Sequence, residues 1–257
     1  MSGELPKNVG RLQSAARVLL SPFLHTLWDL KVYGAENLPD DGAAILCANH
    51  TSVLDSFFMP GVLPRRITFV GKAEYLDDWK TKHLFPMLGM IPIDRSGGDA
   101  AAAALDCAAS ILDSGQFFGI YPEGTRSRDG RLHKGHTGPA RLALRTGAPI
   151  IPVGLRGMRD VQPPEASFPK FFKTVEIYFG EPIEASRYDQ HSDRRLLLRQ
   201  MIDEVMFEIK TFTGQEYVHE YANKKKADVA QPTPEVDPVA ADGRSSADVL
   251  KPVPLAV

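Results

Sequence analysis

Short apolar runs alternate with helical stretches from Leu30 to about Gly180, and no other feature of the chain constrains its fold as strongly. The runs at 30–33, 43–48, 67–70, 117–121, 150–155 and 175–179 read as strands. Helical patterns fall at 53–62, 81–88, 99–114, 137–147 and 192–212, the third an Ala-rich stretch that stops at Gly115. The alternation predicts an α/β fold: a single domain with a mainly parallel mixed sheet, flanked by helices on both faces. Pro149 and Pro152 bracket one apolar run and suit a strand at an edge or with a sharp bend. A chain of 257 residues, 43% hydrophobic and 24% charged, is long enough to bury one substantial core.

Composition divides the chain into three parts. Residues 1–32 form an N-terminal amphipathic helical segment, in which Leu12, Ala16, Leu19, Leu20, Phe23, Leu27 and Trp28 recur at helical spacing. Pro22 interrupts it, so two short helices are expected. They either pack on the main domain or lie in the plane of a membrane, with Arg11 and Arg17 toward the headgroups. Residues 33–222 carry the α/β pattern. Residues 223–257 open on Lys224-Lys225-Lys226, continue with five prolines and no aromatic residue, and read as a disordered tail.

A net charge of −2 argues against nucleic acid as a partner. Cys47 and Cys107 stand far apart in apolar or Ala-rich surroundings, which fits a reducing compartment. Neither a signal peptide nor an uncharged run near the roughly 20 residues of a bilayer span is evident. The expectation is a cytoplasmic protein, peripheral on the inner face of the cell membrane.

The most telling residues are His50 and Asp55 in Asn49-His50-Thr51-Ser52-Val53-Leu54-Asp55. A small apolar strand precedes them and a helix follows. The two cannot share a helical face at a spacing of five. With His50 just outside the helix, however, Asp55 can fold back to accept the Nδ1 proton and leave Nε2 free as a base. Taken alone, such a pair is more often structural than catalytic. No Ser or Cys nearby has the setting of a nucleophile, so a catalytic His50 would deprotonate a substrate hydroxyl directly.

Three further segments bear on that pair. Gly89-Met90-Ile91-Pro92-Ile93-Asp94-Arg95 is an apolar run delivering an arginine. Tyr121-Pro122-Glu123-Gly124-Thr125-Arg126-Ser127-Arg128 follows a strand and combines a carboxylate, a permissive glycine, hydroxyls and guanidinium groups suited to phosphate. Pro149-Ile150-Ile151-Pro152-Val153-Gly154 is an apolar strand. His133 and His136 flank Lys134-Gly135, but two loop histidines without a third ligand make a poor metal site, and none is expected.

In this order the four segments resemble the glycerolipid acyltransferase family, which includes the bacterial 1-acyl-sn-glycerol-3-phosphate acyltransferases. Its His-x4-Asp motif is matched by His50 and Asp55, and its Tyr-Pro-Glu-Gly-Thr-Arg-Ser motif by Tyr121 through Ser127. The matched core runs from about residue 40 to 182. The resemblance implies His50 as general base and Asp55 as its orienting partner. It implies Arg95, Arg126 and Lys72 on the acceptor phosphate, with Glu123, Gly124 and Thr125 placing the glycerol portion. The amides of Val153 and Gly154 are candidate oxyanion donors. The implied reaction moves an acyl group from acyl-CoA or acyl carrier protein to a lysophosphatidic-acid-like hydroxyl, with no metal or organic cofactor. Alternative acceptors are glycerol-3-phosphate, another lysophospholipid or a glycolipid; a rival of another class is a catalytically silent lipid-binding scaffold. A membrane surface, reached through the N-terminal segment, is the expected partner besides the substrates.

Overall fold

The structure is a computed structural model that describes residues 21–72, 89–93, 100–164, 166, 168–188 and 193–222. Its strands are β1 (Asp29–Tyr33), β2 (Ala44–Ala48), β3 (Ile67–Lys72), β4 (Met90–Ile93), β5 (Phe117–Ile120), β6 (Leu132–His133), β7 (Ile150–Arg156), β8 (Thr174–Phe179) and β9 (Tyr217–Val218). The labelled helices are α1 (Asp55–Val62), α2 (Ala100–Asp113), α3 (Gly138–Thr146), α4 (Met158–Val161) and α5 (Arg194–Thr213). Residues 21–27 are also helical.

Seven strands form one sheet in the order β1-β8-β7-β2-β5-β3-β4. Every neighbouring pair is parallel except β7–β8, so the expected mainly parallel mixed sheet is present. Helices cover both faces. Ile45 and Cys47 of β2 face α2, α3 and α5 in one core. Ala44, Leu46 and Ala48 face α1, α4 and the 21–28 segment in the other. All five residues of β2 are buried, as a central strand covered on both sides requires.

Four expectations need correction. The proline-bearing run is not an edge strand: β7 lies between β2 and β8. Pro152 is tolerated there because it faces Gly180, one residue past the end of β8, where its carbonyl accepts from the Gly180 amide at 2.8 Å. The N–H that proline lacks is therefore missing only where the ladder opens toward the Ile150–Ile183 bridge. The run at 89–95 does contain a strand, β4, and its edge position accommodates Pro92. The two-residue strands β6 and β9 pair as a separate small sheet, which no periodicity over so few residues could reveal. Finally, a boundary between residues 32 and 33 would cut β1, and Trp28 already belongs to the core.

The helix expected at 81–88, most of the N-terminal amphipathic stretch and the 223–257 tail lie outside the described residues. The part of the N-terminal segment that is described packs on the domain. Leu24 and Trp28 are buried, and the Trp28 indole donates to the Lys170 carbonyl at 2.8 Å. No helix among the described residues is long and apolar enough to cross a membrane.

Candidate active site

Strands β2 and β5 are parallel neighbours, with Cys47 opposite Ile120, so the loops leaving their C-terminal ends must meet. The open edge of a parallel sheet is where α/β folds gather ligands. The first loop carries Asn49 and His50 and the second carries Tyr121 through Ser127. They are stitched together by the His50 amide donating to Glu123 Oε1 at 3.1 Å and the Ser127 amide donating to the His50 carbonyl at 2.7 Å.

Asp55 is fully buried in the first turn of α1 and folds back over the loop. Its Oδ2 accepts from the amides of Thr51 at 2.8 Å and Ser52 at 2.9 Å, and lies 2.8 Å from His50 Nδ1. An oxygen that already receives two amide hydrogens, beside the positive end of a helix, calls for a third donor. That places the imidazole proton on Nδ1 and the lone pair on Nε2. The His50 side chain keeps 16% exposure, so its ring reaches the surface while Asp55 does not.

The imidazole lies flat on Tyr121, with ring centroids 3.9 Å apart and planes 11° apart. Tyr121 in turn stacks on Phe69 at 6.0 Å. Phe69 needs a glycine at position 119, where a Cβ would come within 2.2 Å of its ring. The Tyr121 hydroxyl pairs with Ser56 Oγ of α1 at 2.8 Å. Burial, and then the charge of Asp55, push this phenol well above its ordinary pKa. Tyr121 therefore stays neutral and serves as a wall for the imidazole.

Glu123 is buried and both its oxygens are used, Oε1 by the His50 amide and Oε2 by the His133 amide at 2.9 Å. Burial raises its pKa to about 8 against the opposing pull of the His133 and His50 amides. A direct hand on the glycerol portion is thus replaced by a structural one: Glu123 clamps the loop of His50 to β6. Gly124 takes φ 73°, which closes the turn from Tyr121 and which an L side chain adopts only with strain. Thr125 and Arg126 are half-buried in the same turn, and Arg126 has neither hydrogen bond nor ion pair among the described residues. Buried Ser127 accepts from the Gly130 amide at 3.1 Å and donates to the Arg131 carbonyl at 2.7 Å, closing the loop beneath Arg126.

Val153 and Gly154 are not free donors. Val153 pairs with Ala48 on one side and Phe179 on the other, and Gly154 with Tyr178, so both amides sit within the ladder. Gly154 is required for packing: a Cβ there would lie 2.5 Å from Phe212 Cβ of α5. Lys72 ends β3 opposite Ile93, at the same sheet edge as His50, and Arg95 lies outside the described residues. His133 contacts Asp129 at 3.1 Å, while His136 stacks on Tyr221. Burial opposes ionisation of Asp129, but hydrogen bonds from Arg131, His133 and Ser127 hold its pKa down to about 2.

Sequence reasoning gave no role to Asn49, Gln162 or Gln215. Asn49 bridges to Leu155 of β7 and to Gln215, whose own amide reaches the Gly130 carbonyl at 2.7 Å. The position of Asn49 beside His50 was a usable signal. For Gln215, far along the chain, no local signal existed.

A family model described as Acyltransferase matches residues 29–156, from β1 to the end of β7. The chain belongs to the acyltransferase family. It is 27% identical over 175 residues to the chloroplastic 1-acyl-sn-glycerol-3-phosphate acyltransferase of Arabidopsis thaliana, covering 68% of this chain and 49% of that one. It is 26% identical to the 1-acyl-sn-glycerol-3-phosphate acyltransferase of Bacillus subtilis, over 62% of this chain and 76% of that one. The chain thus spans about half the length of several relatives it matches. In fold it is similar to the crystal structure of the 1-acyl-sn-glycerophosphate acyltransferase PlsC from Thermotoga maritima. That likeness has a TM-score of 0.62 at 24% identity and covers 80% of this chain and 83% of that one.

Proposed function

We propose that this acyltransferase moves a fatty acyl group from an acyl thioester, on coenzyme A or acyl carrier protein, to the hydroxyl of a lysophosphatidic-acid-like acceptor. The observation that carries the reading is the Asp55 carboxylate held by two amides and set 2.8 Å from His50 Nδ1. Such an arrangement directs the basic lone pair of Nε2 outward. A silent scaffold would have no use for a buried carboxylate dedicated to one imidazole.

In the proposed reaction the acceptor hydroxyl gives its proton to Nε2 as its oxygen attacks the thioester carbonyl. The tetrahedral adduct then collapses, the C–S bond breaks, and the thiolate takes the proton back from the imidazolium. Asp55 stabilises the imidazolium between those steps. General-base assistance of this kind contributes about 10²–10⁴-fold. Arg126, at the rim of the Tyr121–Ser127 loop, and Lys72 and Arg95, from the strands beyond β5, are the proposed cations for the acceptor phosphate. No metal or organic cofactor enters these steps. The enzyme would work as a peripheral protein on the cytoplasmic face of a membrane.

The test is acyl transfer by purified protein from radiolabelled acyl-CoA to lysophosphatidic acid, glycerol-3-phosphate and a neutral lysolipid. Activity should be greatest with lysophosphatidic acid and vanish in His50→Ala, while Asp55→Asn should lower kcat by about 10²-fold or more. Equal turnover by His50→Ala would remove the general-base assignment. Arg126→Ala should hurt phosphate-bearing acceptors selectively, and an equal loss on the neutral lysolipid would count against a phosphate grip.

A further inference from the structure

Four phenylalanine rings stand in solvent on one part of the surface: Phe23 is 55% exposed, Phe168 82%, Phe171 49% and Phe172 79%. Scattered exposed apolar residues are ordinary, but aromatic rings gathered on one short loop are not. Phe23 comes from the helical residues 21–27, and the other three from the chain between α4 and β8. Trp28 joins the two sources. Its ring lies 6.5 Å from Phe23 and 5.4 Å from Phe171, and Phe171 lies 6.5 Å from Phe172.

The loop that carries the rings is firmly tied. The Lys170 amide donates to the Val161 carbonyl at 2.7 Å, the Phe172 amide to the Leu27 carbonyl at 2.7 Å, and the Asp29 amide to the Lys173 carbonyl at 3.1 Å. Phe172 nevertheless holds φ at 58°, a left-handed conformation that a bulky side chain seldom takes. The backbone accepts this conformation while the ring points into water, where no packing within the chain offsets it. Backbone outliers of this kind cluster where a surface has a function.

Charge identifies the occupant. Lys170 and Lys173 are exposed among the rings and form no ion pair among the described residues. The nearby acid Asp29 is already engaged by Lys31 and Thr174. A second copy of the chain would bring these lysines against their equivalents. An anionic lipid surface meets both demands, taking the rings at the boundary of headgroups and acyl chains and the ammonium groups at the phosphates. The patch is also fastened to the candidate active site. Gln162, which follows α4 directly, accepts from Ser52 Oγ at 3.1 Å, and Ser52 is one of the two amide donors to Asp55.

We propose that Phe23 and the loop 168–173 form a docking surface for anionic bilayers, distinct from the N-terminal stretch that precedes residue 21. Its purpose rests on the acyltransferase reading, since it would hold His50 near the interface where a lysophospholipid presents its hydroxyl.

The experiment uses the full chain with Phe168→Trp and vesicles of phosphatidylcholine, with and without phosphatidylglycerol. The emission change is compared with that of the unsubstituted protein. The introduced indole should shift to the blue and be quenched by brominated acyl chains, more strongly with phosphatidylglycerol present. Phe168→Ala with Phe172→Gly, which keeps the left-handed backbone, should weaken vesicle co-sedimentation by about tenfold or more while preserving the circular dichroism spectrum. Lys170→Glu with Lys173→Glu should abolish the preference for phosphatidylglycerol. The proposal is overturned if the chain does not bind vesicles or if the indole emission is unchanged on bound protein. It is likewise overturned if the patch instead drives concentration-dependent self-association that the phenylalanine variant abolishes. Indole insertion without acyl transfer by the unsubstituted protein would sink the enzymatic reading and leave the docking surface standing.

Discussion

The side chain of Asn49 exchanges two hydrogen bonds with the backbone of Leu155, from Nδ2 to the carbonyl at 2.9 Å and from the amide to Oδ1 at 2.8 Å. A primary amide has the same donor and acceptor as a peptide. Asn49 therefore continues the β2–β7 ladder by one step after β2 itself has ended at Ala48. The backbone is thus released to turn at His50 without leaving β7 unpaired. Asn49→Ala would strand a buried donor and a buried acceptor, and such losses typically cost about 1–3 kcal/mol each. Asn49→Asp should be worse, because it sets a carboxylate oxygen against the Leu155 carbonyl. Urea unfolding of the two variants checks both the size and the order of these effects.

Tyr121 offers a way to separate a ring from its hydroxyl. Tyr121→Phe keeps the face on which His50 lies and removes only the contact with Ser56. Stability should fall by about 1 kcal/mol, and acyl transfer should change by no more than a few fold. Tyr121→Leu removes the flat wall and frees the imidazole to rotate on its Asp55 hinge. Its kcat should drop by about tenfold or more, because orientation of the base is what the wall supplies. If the two variants have equal kcat, stacking does not position His50.

Gly154 tests the reassignment of the β7 amides. Gly154→Ala should destabilise the fold by about 1–3 kcal/mol, since overpacking forces α5 away from the sheet. The loss should appear in Tm. Per folded molecule, kcat should fall far less than in His50→Ala. A variant with unchanged Tm and abolished turnover would instead return Gly154 to the chemistry.

These cases separate what the chain discloses locally from what it does not. The layer order followed from alternation, because a buried parallel strand and an amphipathic helix differ in period and length. The return of Asp55 to His50 was legible for the same reason: a spacing of five is impossible within a helix but natural across its first turn. Pro152 misled, because proline is excluded only where its missing N–H has a partner, and that depends on where β8 stops. Glu123 misled because a carboxylate in a phosphate-suited loop looks like a ligand contact. Its engagement by the amides of His50 and His133 is fixed by the meeting of β5, β2 and β6. Gln215 was out of reach, since its contact with Asn49 exists only once α5 has folded across the sheet.

Glu123 gives the last prediction, and its sign follows from burial. The folded-state pKa is raised to about 8, above the ordinary value of 4.5, so between those values the folded protein binds more protons than the unfolded chain. Stability contributed by this group is fully present below about pH 4.5 and is lost as pH rises through about 8. Glu123→Gln cannot ionise and should remove that decline. It would also place an amide NH₂ against one of the two backbone donors, lowering stability on the acidic side by about 1–3 kcal/mol. The unsubstituted protein should therefore be the more stable of the two at pH 5. The gap should narrow or invert by pH 9. Paired urea titrations across that range decide the matter, and parallel curves for the two proteins would mean that Glu123 stays ionised in its clamp.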